Sequence, residues 1–192
     1  MHEFAQSKDR IKPAQKIIVM RHDIDQKVTL ARNFASIEEE LGIRATYFVR
    51  LHADYNPFSV QNYAILKEII GQGHEIGLHY EGGFSMLFRE SQSQSFERDL
   101  GLLEKMIRRK VHGFSFHEPR RSKCSTPSAY LKKEGIYDAY SNTFMGGLKY
   151  ISDSSANWRE GCMCNFVKSG SPRLYILTHP FWWFNKTPLE NY

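Results

Sequence analysis

Residues 16–142 alternate five short apolar runs with four stretches of helical spacing. No other feature constrains the fold as strongly, because strands linked by helices pair in parallel. The runs "KIIVMRH" (16–22), "IRATYFVR" (43–50), "HEIGLHY" (74–80), "VHGFSFH" (111–117) and "IYDAYSN" (136–142) read as strands. Segments 28–42, 60–73, 95–109 and 125–135 read as the helices between them. Gly42, Gly73 and Gly135 stop three of these helices, and Ser125, Thr126 and Pro127 start the last. "LKYISDS" (148–154) and "RLYILTHP" (173–180) add a sixth and a seventh strand. The pattern predicts an α/β fold, a distorted, incomplete seven-stranded (β/α) barrel, with an open doubly wound sheet as the alternative. A length of 192 residues suits one domain over 1–192, with residues 1–15 as an N-terminal extension.

The strand ends carry the chemistry. His22, Asp23 and Asp25 close the first strand, His79 and Glu81 the third, and His117 and Glu118 the fourth. Asp153 closes the sixth and His179 the seventh. In a parallel barrel all these ends open on one face, where active sites form. Taken singly, each has a plain structural use, such as an Asp capping the next helix. Together, His79, His117, His179, Asp23 and Asp25 make a ligand set for zinc or a related divalent ion. Asp23 and Asp25 point to one side of an extended chain, and His22 to the other. His52, His74 and His112 lie away from such ends or at strand starts and read as structural or solvent-facing.

Other classes are disfavoured. No G-x-G-x-x-G or P-loop is present. The net charge of +5 comes from scattered basic residues rather than a tract interleaved with aromatics, so nucleic acid is not the expected partner. The charge favours acidic small partners. Cys124, Cys162 and Cys164 form no disulfide framework or zinc-ribbon spacing and read as thiols. No signal-peptide core and no run of ~18 apolar residues appears, so a cytoplasmic protein with no transmembrane segment is expected.

Four segments resemble the polysaccharide deacetylase family of metal-dependent sugar N-deacetylases. These are "RHDID" (21–25), "LGIRATYFV" (41–49), "GHEIGLH" (73–79) and "LYILTHP" (174–180). The members with RHD-x-D, "YISDS" and "THP-x-W" look most similar. The resemblance implies Asp23 as catalytic base, Asp25 and His79 as metal ligands, and His179 as catalytic acid. Two motifs depart from the family pattern. The second metal His, four residues after the first, is here Gly83, and the third motif reads "FSFHEPRR". His117 is the favoured replacement ligand and Glu81 the alternative.

On this basis the chain is expected to be a zinc hydrolase. It would remove an acetyl group from an N-acetylated sugar, a sugar nucleotide or a lipid-linked saccharide. Asp153, or else Asp138, would orient His179, and Trp182 and Trp183 would flank the sugar or pack beneath the rim. Arg120 and Arg121 would meet an anionic part of the substrate or stand in solvent. A degenerate glycan-binding protein and a metal amidohydrolase acting on a non-sugar C–N bond are the alternatives.

Overall fold

The computed structural model describes residues 1–12, 14–118 and 135–186. Among these residues, seven parallel strands form one curled sheet in the order β5-β4-β3-β2-β1-β7-β6. They are β1 (Ile17–Ile24), β2 (Thr46–Val49), β3 (Glu75–Tyr80), β4 (Gly113–Phe116), β5 (Tyr137–Asp138), β6 (Lys149–Ser152) and β7 (Arg173–Thr178). The helices are α1 (His2–Ser7), α2 (Val28–Glu40), α3 (Val60–Gly71), α4 (Phe84–Leu87), α5 (Gln92–Ile107), α6 (Asn142–Met145) and α7 (Met163–Lys168). The result is an incomplete (β/α) barrel, with β1 central and flanked by β2 and β7. The expected helix over 125–135 lies outside the described residues, apart from Gly135.

Several element boundaries differ from the sequence reading, and those of β1 and α5 have local causes. Strand β1 continues through Ile24, where Asp23 pairs in register with Phe48 and Ile24 with Val49. A buried carboxylate is tolerated inside a strand because it is ion-paired, as shown below. Helix α5 begins at Gln92 rather than near 95. Ser91 and Gln94 close a capping box, in which each side chain bonds the other's backbone N–H. The cysteines also differ from expectation: Cys162 and Cys164, at the start of α7, are joined as a disulfide. Their Cα atoms are 5.3 Å apart, a separation that a disulfide spans.

Alternation along β1 divides the molecule into two sides. Val19, Arg21 and Asp23 face the inside of the curl; Met20, His22 and Ile24 face the helices. On the helix side, His22 Nε2 lies 2.8 Å from Glu38 Oε1 of α2, and the Tyr47 hydroxyl donates to Glu38 Oε2 at 2.5 Å. Burial works against the Glu38 charge, but His22 and Tyr47 more than offset it and hold its carboxyl below the usual range. On the inner side, Phe48, Tyr137, Phe144 and Tyr175 fill the lower barrel, and Phe4 of α1 packs on Phe144. Gly77 and Gly113 leave room for these rings. A Cβ at Gly77 would stand 2.4 Å from the Phe48 ring, and one at Gly113 would stand 2.0 Å from the Tyr137 ring. The aromatic fill raises the floor of the barrel, so the polar groups gather near the C-terminal ends of the strands. No helix among the described residues is long and apolar enough to cross a membrane.

Candidate metal and catalytic site

Asp25, His79 and His117 converge at the upper end of the sheet. Each offers one ligand atom, and the three atoms lie within 4.8 Å of one another. Asp25 Oδ1 is 3.2 Å from His79 Nε2 and 3.4 Å from His117 Nδ1, and the two nitrogens are 3.3 Å apart. His79 Nδ1 faces the Ser115 carbonyl at 3.1 Å. That contact places the ring proton on Nδ1 and leaves the Nε2 lone pair aimed at the cluster. Asp25 Oδ1 is buried without a well-aligned hydrogen bond. Three electron-pair donors facing one another repel unless a cation sits among them, so this donor set fits a divalent metal.

Asp25 lies just beyond β1, and its backbone is fixed from two sides. Arg50 Nη1 donates to the Asp25 carbonyl at 2.9 Å, and the Tyr55 hydroxyl donates to the Ile24 carbonyl at 2.8 Å. Arg50 also binds Glu81 Oε1 at 2.5 Å. Glu81 pairs with Arg50 through Oε1 while its Oε2 is buried without a partner, and it is not in the cluster of three ligand atoms, which includes His117. Gly83 has open space where a side chain would begin.

Asp23 sits one layer below. Arg21 Nε donates to Asp23 Oδ1 at 2.9 Å and Arg21 Nη2 to Oδ2 at 2.7 Å, a bidentate clamp. The guanidinium is fully buried and also donates to Ser115 Oγ, the Tyr140 hydroxyl and the Tyr175 hydroxyl at 2.7–2.9 Å. Burial opposes the Asp23 charge, but Arg21 more than offsets this, so the carboxyl stays ionised below the usual range. Asp23 Oδ2 is 3.6 Å from His79 Nε2, next to the ligand cluster.

His179 completes the mouth, with Nε2 4.0 Å from Asp25 Oδ2. Its Nδ1 is 2.6 Å from Asp153 Oδ1, and its backbone N–H donates to the same carboxylate. Burial lowers the His179 pKa, but the bond to Asp153 and the charges of Asp23 and Asp25 outweigh this and raise it. The second oxygen of Asp153 accepts from Trp183 Nε1 at 2.8 Å. Trp183 thus packs at the rim, edge-on to Phe34 and Trp158, and braces the His179–Asp153 pair. Trp182 meets Phe181 edge-to-face instead. Asp138 accepts from the Tyr140 backbone N–H, away from His179. Arg120 and Arg121 lie outside the described residues.

Sequence reasoning assigned no role to Arg21, Arg50 or Tyr175. Arg21 was within reach, because it stands two residues before Asp23 on the same strand face. Arg50 and Tyr175 carry no local signal, since both act across strands.

The sequence matches no family model and no curated relative. Solved structures do match, and those compared are CE4 family deacetylases and their inactive kin. The chitin deacetylase of the fungal pathogen Colletotrichum lindemuthianum aligns with a TM-score of 0.60 at 18% identity, over 86% of this chain and 74% of that one. The catalytic domain of a peptidoglycan N-acetylglucosamine deacetylase from Eubacterium rectale aligns at 0.57 and 16% identity, over 94% and 83%. A CE4 family pseudoenzyme from Bacillus anthracis aligns at 0.58 and 13% identity, over 88% of this chain. The chain spans little more than half, 56%, of that protein's length. At these identities the likeness is one of fold alone, a barrel similar to those of the CE4 structures compared.

Proposed function

We propose that the chain is a divalent-metal hydrolase of the RHD-x-D deacetylase type, removing the acetyl group from an acetamido sugar. The observation that carries this reading is the convergence of Asp25, His79 and His117 beside a clamped carboxylate, Asp23, and a carboxylate-braced imidazole, His179. Asp25, His79 and His117 would hold the ion, with zinc best suited to a carboxylate and two imidazoles. When bound, the ion supplies Lewis-acid polarisation and a lowered water pKa.

The remaining steps belong to the chain. Asp23, ionised and fixed by Arg21, accepts the proton of the attacking water. His179, its pKa raised and its Nδ1 held by Asp153, donates from Nε2 to the leaving amine as the C–N bond breaks. Acetate and the free amino sugar are the products. His117 supplies the imidazole missing at Gly83, which is why hydrolysis is favoured over a degenerate glycan-binding role.

The test is acetate release from N-acetylated oligosaccharides and from N-acetylated sugar nucleotides. Zinc-loaded and chelator-stripped protein are compared. Release only by the loaded protein is expected. Tight saccharide binding without acetate release from any substrate would mark a glycan-binding protein and overturn the hydrolase reading. Retention of zinc with release of acid or amine only from non-sugar amides would instead mark an amidohydrolase.

A further inference from the structure

One rung of the sheet carries three polar side chains that the proposed chemistry leaves unused. Tyr47 of β2, His22 of β1 and Thr178 of β7 are register partners, and all three face the helices. Glu38 of α2 closes over them. His22 Nε2 lies 2.8 Å from Glu38 Oε1, and His22 Nδ1 lies 2.6 Å from Thr178 Oγ1. Glu38 is held ionised, so it accepts from the imidazole N–H at Nε2. Nδ1 and the Thr178 hydroxyl then share the second bond of the ring.

A carboxylate, an imidazole and a hydroxyl in this order form the constellation of nucleophilic hydrolases. Here Glu38, His22 and Thr178 are 6%, 0% and 1% exposed, so no substrate reaches the hydroxyl. A hydrogen-bonded chain sealed from substrate acts on a reaction by holding other groups in place. The rung lies where such a hold matters. Pairing of β1 with β7 ends at His22 opposite Thr178. The next residue on β1 is Asp23 and the next on β7 is His179, and both turn to the inner side. There β7 turns toward β6, because the His179 N–H goes to the Asp153 carboxylate. The His22–Thr178 bond thus ties the two strands one residue before the base and the acid. Phe34 of α2 meets both the His22 ring and Trp183 edge-on, with ring centres 5.3 and 5.6 Å away. The back of the tie therefore also packs toward the brace of Asp153.

We propose that Glu38, His22 and Thr178 are positioning residues that set the spacing between Asp23 and His179. The inference rests on the hydrolase reading, in which Asp23 faces the attacking water while His179 faces the leaving amine. A drift of β7 against β1 would spoil both proton transfers at once. The three convergent metal donors stand on β3 or just after β1 and β4, and none comes from β7. Loss of the tie therefore acts on the chemical step and spares metal binding.

The experiment measures acetate release by the zinc-loaded full chain. Thr178→Val deletes the hydroxyl and keeps the branched shape, whereas Thr178→Ser keeps the hydroxyl. Thr178→Val should lower kcat about tenfold at unchanged KM and zinc affinity, and Thr178→Ser should recover most of the loss. Thr178→Ala deletes the same hydroxyl in a smaller side chain and should match Thr178→Val. Ile69→Val trims the buried face of α3, away from β7, and controls for general loosening; its kcat should stay near wild type. NMR of the His179 ring N–H reads the same geometry without turnover. Its signal should move in Thr178→Val, return in Thr178→Ser and stay in Ile69→Val. An unchanged kcat in Thr178→Val overturns the proposal. So does a fall that Ile69→Val shares, a fall that Thr178→Ser fails to reverse, or a change confined to KM or zinc affinity. The two readings fail separately. Absence of acetate release from wild type defeats the hydrolase, and the ring signal then decides the tie. Acetate release by Thr178→Val at the wild-type rate defeats the tie alone.

Discussion

Arg21 and Asp23, two residues apart on β1, close a bidentate ion pair with both side chains out of solvent. The strand thus supplies its own restraint for the carboxylate assigned as base. Arg21→Lys keeps the charge but loses the fork. We expect kcat to fall about tenfold to a hundredfold, with zinc content and KM near wild type, since small misplacement of a base is felt mainly in the transition state. Asp23→Asn should also keep its zinc and lose turnover. Steady-state acetate release with metal analysis on the same samples checks both. Loss of zinc from Asp23→Asn would mean that the two carboxylates trade roles.

His117 and Glu81 separate cleanly by metal binding. His117→Ala removes one of the three convergent donors and should weaken zinc affinity at least about a hundredfold. Glu81→Gln removes a partner of Arg50 rather than a ligand, and zinc should stay. Competition against a chromophoric chelator measures both affinities. A reversed order would move the third ligand to Glu81.

Asp153 holds His179 through the backbone N–H and Nδ1 together. Asp153→Asn should lower kcat by about a hundredfold or more, because an amide no longer secures the tautomer that donates from Nε2. Trp183→Phe deletes a single donor to Asp153 and should cost about 1 kcal/mol or less in activation free energy. Comparing the two variants under saturating substrate tells bracing from mere packing.

Glu38 ties stability to pH. Its carboxyl is held below the ordinary value of 4.5 in the folded state. The native state therefore binds a proton less readily than the unfolded chain, and the carboxylate stabilises the fold above about pH 4.5. That contribution fades as pH falls through the depressed native value. Glu38→Gln should be less stable by about 1–3 kcal/mol near neutrality and should approach wild type in acid. Urea unfolding across pH reads the gap directly; a constant gap would contradict the linkage.

The strands were legible because parallel strands buried on both faces read as short apolar runs. The end of β1 was less so, since Asp23 looks like a strand terminator until its clamp is seen. Strand β5 shrinks to Tyr137–Asp138, because pairing with β4 stops where Phe114 meets Asp138. The start of α5 was readable in principle, as Ser91 and Gln94 have capping-box spacing. In the site, strand-end position brought out Asp25, His79, His117 and His179. The phenols of Tyr140 and Tyr175 look like core residues in sequence, and only cross-strand geometry aims them at Arg21. The preference for His117 over Glu81 rested in sequence on ligand type alone, because the ion pair between Glu81 and Arg50, just beyond β2, has no local signal.

Arg21 and Asp23 depend on one pleat, and Asp25 takes its place from the same strand. Deletion of a single residue between Lys16 and Arg21 would reverse that pleat, sending the clamp and the base toward the helices together while His22 turned inward. Such a lesion would leave the strand pairing nearly whole and the chemistry gone at a stroke. For the same reason β1 is portable. Grafted in register into a related barrel, this eight-residue strand with Asp25 would carry restraint, base and ligand as one inheritable unit.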